Sequence, residues 1–467
     1  MNKQVAATAV ASVITLTFAA VAVILLMRSD GPSASAPSAA ALPATASAAD
    51  RTPAPGALAS REGAEGADWQ GFLRGRVSTD SGETYEGRMR WGGDEEAFWN
   101  DSFNGYKAIN PWAGHVAPEH LEEKVGYEIF GVEVFERTRR VDLSRPFMAR
   151  FGDLVRIERR GRDILVTLKS GTVVELDRMN ADDLADGLRV WDERRGVVDL
   201  PERRIHVVEF LPAVPFADPP ARLFGTLRPR DGLALTGFVQ WDREQCLGSD
   251  ELEGVKAGGE ARDVVRLRFD TIRSIERSGD DASLVVLADG SELTLTGSQV
   301  GGGHRGVFVD DPRYGRVLVH WSAFDRLDLH PPDEPGSGPA YDDFEPGRPL
   351  HGSVTRRDGA RLEGRMVFDL DESESTDTLD APAAGSRGVH YMLPFGRIAA
   401  IVLGDEPDPT VVVTLEEGEM LGLELQGDLG ESNLGMLVFS GDGDPRYVPW
   451  NEVVRIDFEP SAVEDPR

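Results

Sequence analysis

Three stretches of this chain space their glycines identically. Gly75, Gly82 and Gly87 stand at offsets 0, 7 and 12, with Trp91 at offset 16. Gly225, Gly232, Gly237 and Trp241 repeat the pattern, and so do Gly352, Gly359, Gly364 and Phe368. Each copy closes with an acidic turn: Asp101-x-Phe103-x-Gly105, Asp250-x-Leu252-x-Gly254 and Asp377-x-Leu379-x-Ala381. Structural residues recurring at fixed offsets predict tandem repeats of one supersecondary unit.

Within each copy the pattern is that of strands. Ser81-Gly82, Asp231-Gly232 and Asp358-Gly359 are hairpin dipeptides, because glycine enters positive φ without a Cβ clash. The return, Tyr85-x-Gly87-x-Met89-x-Trp91, alternates with period 2 and predicts a strand with one buried face. Helical periodicity is almost absent from the body, so the expected fold class is all-β. A finer repeat ends each half of a copy: Phe269-x-x-Ile272-x-x-Ile275 and Trp321-x-x-Phe324-x-x-Leu327, or Phe395-x-x-Ile398-x-x-Ile401 and Trp450-x-x-Val453-x-x-Ile456. Three tandem modules of two hairpin-rich, barrel-like half-units follow: 67–212 with an insertion at 106–149, then 221–330, then 347–459. One larger sandwich or barrel per module is the alternative.

The Asp-Gly hairpin and the aromatic-x-x-aliphatic ending resemble those of Sm-like and SH3-like small barrels. The resemblance implies a small closed sheet, which removes exposed edges, and implies no particular activity. The repeated aromatics Trp91, Trp241, Phe368, Trp321 and Trp450 are expected in the core. Pro-rich joints, Leu211 to Pro220 and Pro331 to Gly347, are expected to keep the modules spaced.

Val5 to Met27 is an uncharged apolar run of 23 residues, long enough as a helix to cross a bilayer. Residues 1–28 are therefore expected to be a signal anchor, with a cleaved signal peptide as the alternative. Residues 29–66, rich in Ala, Pro and Ser, read as a disordered spacer. The expected location is membrane-anchored through this one helix, with the body periplasmic or extracellular.

A formal charge of -30 argues against nucleic acid as partner. Gly301-x-Gly303-x-x-Gly306 leads into a strand rather than a helix, so no nucleotide is expected. Asp369-x-Asp371-x-Ser373 opens like a calcium loop but lacks the glycine and glutamate an EF-hand requires. None of the eight histidines has a zinc-site spacing, and Cys246 is the single cysteine. No cofactor, metal or catalytic residue is expected.

The candidate functional residues lie where the first copy departs from the others. Trp99, Tyr106 and Trp112 have no counterpart in the other copies and lead into the insertion, where His115 and His120 follow. Aromatics on a long loop carried by a rigid β scaffold suit partner binding, to an envelope protein, a peptide or a glycan; the alternative is that the insertion packs as a local lid with these residues as its small core. The expected function is non-catalytic binding or scaffolding. A hydrolase sited in the insertion and a purely structural spacer are the alternatives.

Overall fold

The computed structural model describes residues 69–459, apart from 93–94, 99–100, 108, 130–131, 178–181, 186, 217–218, 261, 334–337, 405–409 and 442. The expected signal anchor, the spacer and Trp99 lie outside the described residues. What is described is all-β and antiparallel, with short 3-10 turns between strands.

The first stretch carries β1 (Arg74–Thr79), β2 (Thr84–Trp91), β3 (Ser102–Lys107), β4 (Glu122–Ile129), β5 (Val132–Arg140), β6 (Arg145–Arg150), β7 (Leu154–Arg160), β8 (Asp163–Leu168), β9 (Val173–Asp177), β10 (Leu188–Asp192), β11 (Gly196–Leu200) and β12 (Ile205–Leu211). The second carries β13 (Phe224–Pro229), β14 (Leu235–Gln240), β15 (Glu251–Lys256), β16 (Val264–Arg268), β17 (Ile272–Arg277), β18 (Ala282–Leu287), β19 (Glu292–Thr296), β20 (Val307–Asp311), β21 (Gly315–Val319) and β22 (Phe324–Leu329). The third carries β23 (His351–Arg356), β24 (Arg361–Val367), β25 (Thr378–Pro382), β26 (Val389–Pro394), β27 (Ile398–Leu403), β28 (Thr410–Leu415), β29 (Met420–Glu424), β30 (Met436–Phe439), β31 (Arg446–Val448) and β32 (Val453–Phe458).

The sheet of the first stretch runs β11-β10-β2-β1-β12-β7-β8-β9-β3-β6, and β4-β5 form a separate hairpin in the insertion. In the second stretch the order is β16-β15-β19-β18-β17-β22-β13-β14-β20-β21, extended by β26-β25. In the third it is β29-β28-β27-β32-β23-β24-β30-β31. Each time, the last strand of the stretch returns to pair with its first.

The strands that pair are not consecutive halves. β1 and β2 join β10, β11 and β12, while β3 and β6 to β9 are inserted between them in sequence. The division of each copy at its midpoint, expected from the sequence, is replaced by this interleaving. The cause is the pairing of β2 with β10, which brings strands about a hundred residues apart side by side.

The repeated residues have repeated roles. Gly75 faces Gly87, Gly225 faces Gly237 and Gly352 faces Gly364 across the opening hairpins. A Cβ on Gly87, Gly237 or Gly364 would lie 1.9, 1.9 or 2.1 Å from a carbonyl oxygen of the neighbouring strand. Only glycine permits that approach. The acidic turns fix the next corner. Asp101 accepts hydrogen bonds from the Glu96 and Ala97 N–H groups, Asp250 from Cys246 and Leu247, and Asp377 from Ser373 and Glu374, all within 2.7–2.9 Å.

Trp91, Trp241 and Phe368 are fully buried and Trp321 nearly so, whereas Trp450 is half-buried. One hydrophobic core runs without interruption through the second and third stretches; another fills the first and includes Tyr341 and Phe344. The joints do not act as spacers. Tyr341 donates from its hydroxyl to the Leu154 carbonyl at 2.7 Å, and Lys169 donates to the Phe344 carbonyl at 3.1 Å. Phe216 meets Phe72 edge-on at 5.7 Å. Burying these aromatics outweighs the stiffness that proline confers. β21 also pairs directly with β26, joining the second stretch to the third.

Candidate functional site

Of the residues singled out from sequence, Tyr106 is 44% exposed on β3. Trp112 is half-buried and meets Phe439 edge-on at 6.1 Å, and His115 meets the same ring at 5.8 Å. His120 lies 4.8 Å from Tyr447. Asn110 sets this turn: its Oδ1 accepts from the Trp112 and Ala113 N–H groups, and its Nδ2 donates to the Leu370 carbonyl at 3.0 Å. Val116 and Leu121 complete a small core with Val367, Leu370 and Leu437. The insertion therefore packs on the third stretch, and Trp112 and His115 converge on one ring there.

The glycine-rich run at 301–306 leads into β20, after a 3-10 turn at Ser298–Val300. The carboxylates of the calcium-like segment face protein cations: Asp371 pairs with Lys107 at 2.7 Å and Asp369 with Arg145 at 3.6 Å. Burial raises Asp369 to about 6 despite Arg145. Burial also raises Asp371 and lifts Glu372 well above the usual range, the neighbouring carboxylates adding to the effect. Among the described residues no group of three or more His, Cys, Asp or Glu is placed to hold a metal ion. Cys246 is buried, and burial pushes its thiol far above the ordinary value, so it is inert as a nucleophile.

The informative departure is in the second stretch. On the outer face of the first, Arg88 of β2 lies opposite Trp191 of β10, its guanidinium 3.7 Å over the ring. Phe216 from the following joint sits 4.8 Å from the same guanidinium. In the third stretch, Arg365 of β24 lies opposite Phe439 of β30 at 4.0 Å, with Trp112 of the insertion at 5.4 Å. In the second stretch the corresponding pair is Phe238 of β14 and Asp310 of β20. A cation over an aromatic, a favourable pair, is there replaced by an aromatic opposite an acid.

Beside that pair is a cavity of about 260 Å³. It is lined from the first stretch by Ser102 and Arg150, from the second by Phe238, Asp310 and Arg316, and from the third by Thr378 and Arg397. Phe344 of the joint forms part of the wall. Arg150 grips Asp153 with Nε and Nη2 at 2.7 and 3.0 Å. Arg316 donates to Gln240 at 2.7 Å and lies 4.0 Å over the Phe308 ring. Arg397 donates from Nη1 to the Pro312 carbonyl. Burial lowers the pKa of Arg397, and the positive charge of Arg150 lowers it further. Burial raises Asp310 to about 7, against the pull of Arg316.

None of these four charged residues belongs to a sequence motif. The signal that could have exposed them is Asp310 at a position held by Trp191 and Phe439 elsewhere, and it is visible only once β14 is paired with β20. Comparison with protein-family models, with curated proteins and with solved structures gives no match.

Proposed function

We propose that the protein is a membrane-anchored, extracytoplasmic chain of three tandem β modules acting as a non-catalytic binding element. The observation that carries this reading is the junction cavity, to which all three stretches contribute charged side chains. Such concave, largely apolar sites with a few convergent polar groups are where ligands bind. The modular reading is supported by the repeated glycine contacts, the repeated acidic turns and the return of each last strand to its first. The anchor reading rests on the apolar run Val5 to Met27 and the spacer after it. Envelope proteins, peptides and glycans are the partner classes that such a location offers.

Protease added outside intact cells is expected to cut within 29–66 and release a soluble body starting near residue 67. A body cut only after lysis overturns the orientation. A binding element also gains melting temperature with its ligand. If no envelope peptide, glycan or small organic ligand raises that temperature, the structural-spacer reading replaces this one.

A further inference from the structure

We propose that the junction cavity is a site for a small organic carboxylate, held by Arg150, Arg316 and Arg397 with its apolar body against Phe238, Phe344 and the two lining methionines. The inference rests on the binding reading above and gives it a ligand class. Three arginines line one cavity, beside two aspartates, in a chain whose net charge is -30. Non-specific attraction of anions to such a protein is weak, so a cluster of cations at one concave place is a local device. Arg150 and Arg397 repel each other across a partly desolvated space. An anion between them relieves that repulsion, and a carboxylate matches the guanidinium fork. Each guanidinium has five N–H donors. Asp153 occupies two from Arg150, and Pro312 one from Arg397.

The remaining wall sets the rest of the ligand. Met148, Phe238, Phe344 and Met392 line the cavity, while Ser102 and Thr378 add hydroxyls. A volume of about 260 Å³ holds on the order of ten non-hydrogen atoms, taking ~30 Å³ for a water as the scale. A short chain or single ring bearing one carboxylate fills it; a bare inorganic ion leaves the apolar wall unused.

Asp310 makes the site responsive to pH. The charged groups around it are Arg316 across the β20–β21 hairpin, Arg150 from β6, Arg397, and Arg222 with Asp101, while Asp311 on the same wall is paired with Arg313 at 2.8 Å. Below pH ~7 its carboxyl is neutral and opposes no anion. As pH rises through 7 it ionises, and its charge competes with the ligand for the arginines. Affinity for a carboxylate is therefore expected to fall with rising pH.

The test is isothermal titration of the full-length protein in detergent with 3-phenylpropionate, its neutral alcohol 3-phenylpropan-1-ol, and inorganic phosphate. 3-Phenylpropionate is expected to bind at least roughly tenfold more tightly than either control, the loss of one charge-assisted pair being of that size. Arg397→Met is expected to weaken it by about tenfold or more, with Arg397→Lys intermediate. Between pH 6 and pH 8 the affinity falls roughly fivefold, and Asp310→Asn removes that fall while keeping tight binding at pH 8. A melting curve for each variant separates lost binding from lost folding. Equal binding of phosphate or of the alcohol overturns the ligand class. Absence of 3-phenylpropionate binding, or binding indifferent to both Arg397→Met and Asp310→Asn, overturns the site. If the cavity fails while an envelope ligand still raises the melting temperature, the binding reading stands on another surface.

Discussion

Asp310, Asp369, Asp380 and Asp428 are acids held in a protonated-favouring environment. Burial raises them to about 7, 6, 6 and 8, against an ordinary value of 3.8. A carboxyl whose folded pKa exceeds its unfolded one stabilises the fold fully below the unfolded value and loses that contribution as pH rises through the folded value. The melting temperature is therefore expected to fall by several degrees from pH 5 to pH 8. A melting temperature that rises across that window overturns the assignment. Lys107 limits the effect locally, because its ammonium compensates the buried Asp371. Lys107→Met leaves that acid uncompensated and is expected to cost ~3 kcal/mol at pH 8, read by denaturant unfolding. In the core, Trp321→Ala is expected to cost about 3 to 5 kcal/mol. The burial of Trp321 was legible in the sequence from its place in the aromatic-x-x-aliphatic ending. The raised acids were not, since Lys107 and Asp371 stand 264 residues apart and burial has no local signature.

The hairpins and corners carry the part of the fold that sequence spells out. Gly82, Gly232 and Gly359 adopt φ of 82°, 105° and 82°, as their hairpin dipeptides require. The acidic turns were legible as position and composition, and the structure adds their mechanism, one carboxylate accepting from two successive N–H groups. Asp250→Ala would strand the Cys246 and Leu247 donors and is expected to cost ~1–3 kcal/mol, with Asp250→Asn recovering part of it. Chemical denaturation of the pair checks this; equal stability of Asp250→Ala and the parent would mean water replaces the carboxylate. What sequence could not supply was the strand order. Hairpin signals are local, and the pairing of β1 with β12 depends on the whole intervening chain. The interleaving also hid the cavity, because Phe238 and Asp310 become neighbours only through it.

Across the molecule, each outer pair of residues is covered by a different piece of chain. Phe216 covers Arg88 from one joint, Phe344 borders Asp310 from the next, and Trp112 flanks Arg365 from the insertion. The insertion thus does for the third stretch what a following joint does for the first two. Trp112→Ala is expected to lower the melting temperature, and a loss of ligand or partner binding without any such shift would return these rings to a binding role. The shared core of the second and third stretches predicts that Trp321→Ala and Trp450→Ala shift one common transition. The Pro-rich joints misled because their composition describes stiffness, while Tyr341, Phe344 and Phe216 within them decide where they settle.

The bond from Asn110 to Leu370 spans 260 residues, and this distance sets a clock. At ribosomal rates of about 5–20 residues per second, Trp112, Val116 and Leu121 emerge roughly 13 to 50 s before the surface they rest on. For that interval these apolar side chains have nothing to meet them. A ribosome-stalled chain ending before residue 360 should be cut within the insertion by a dilute protease that spares the finished protein. Any factor that shepherds this chain during its production has a reason to grip it there.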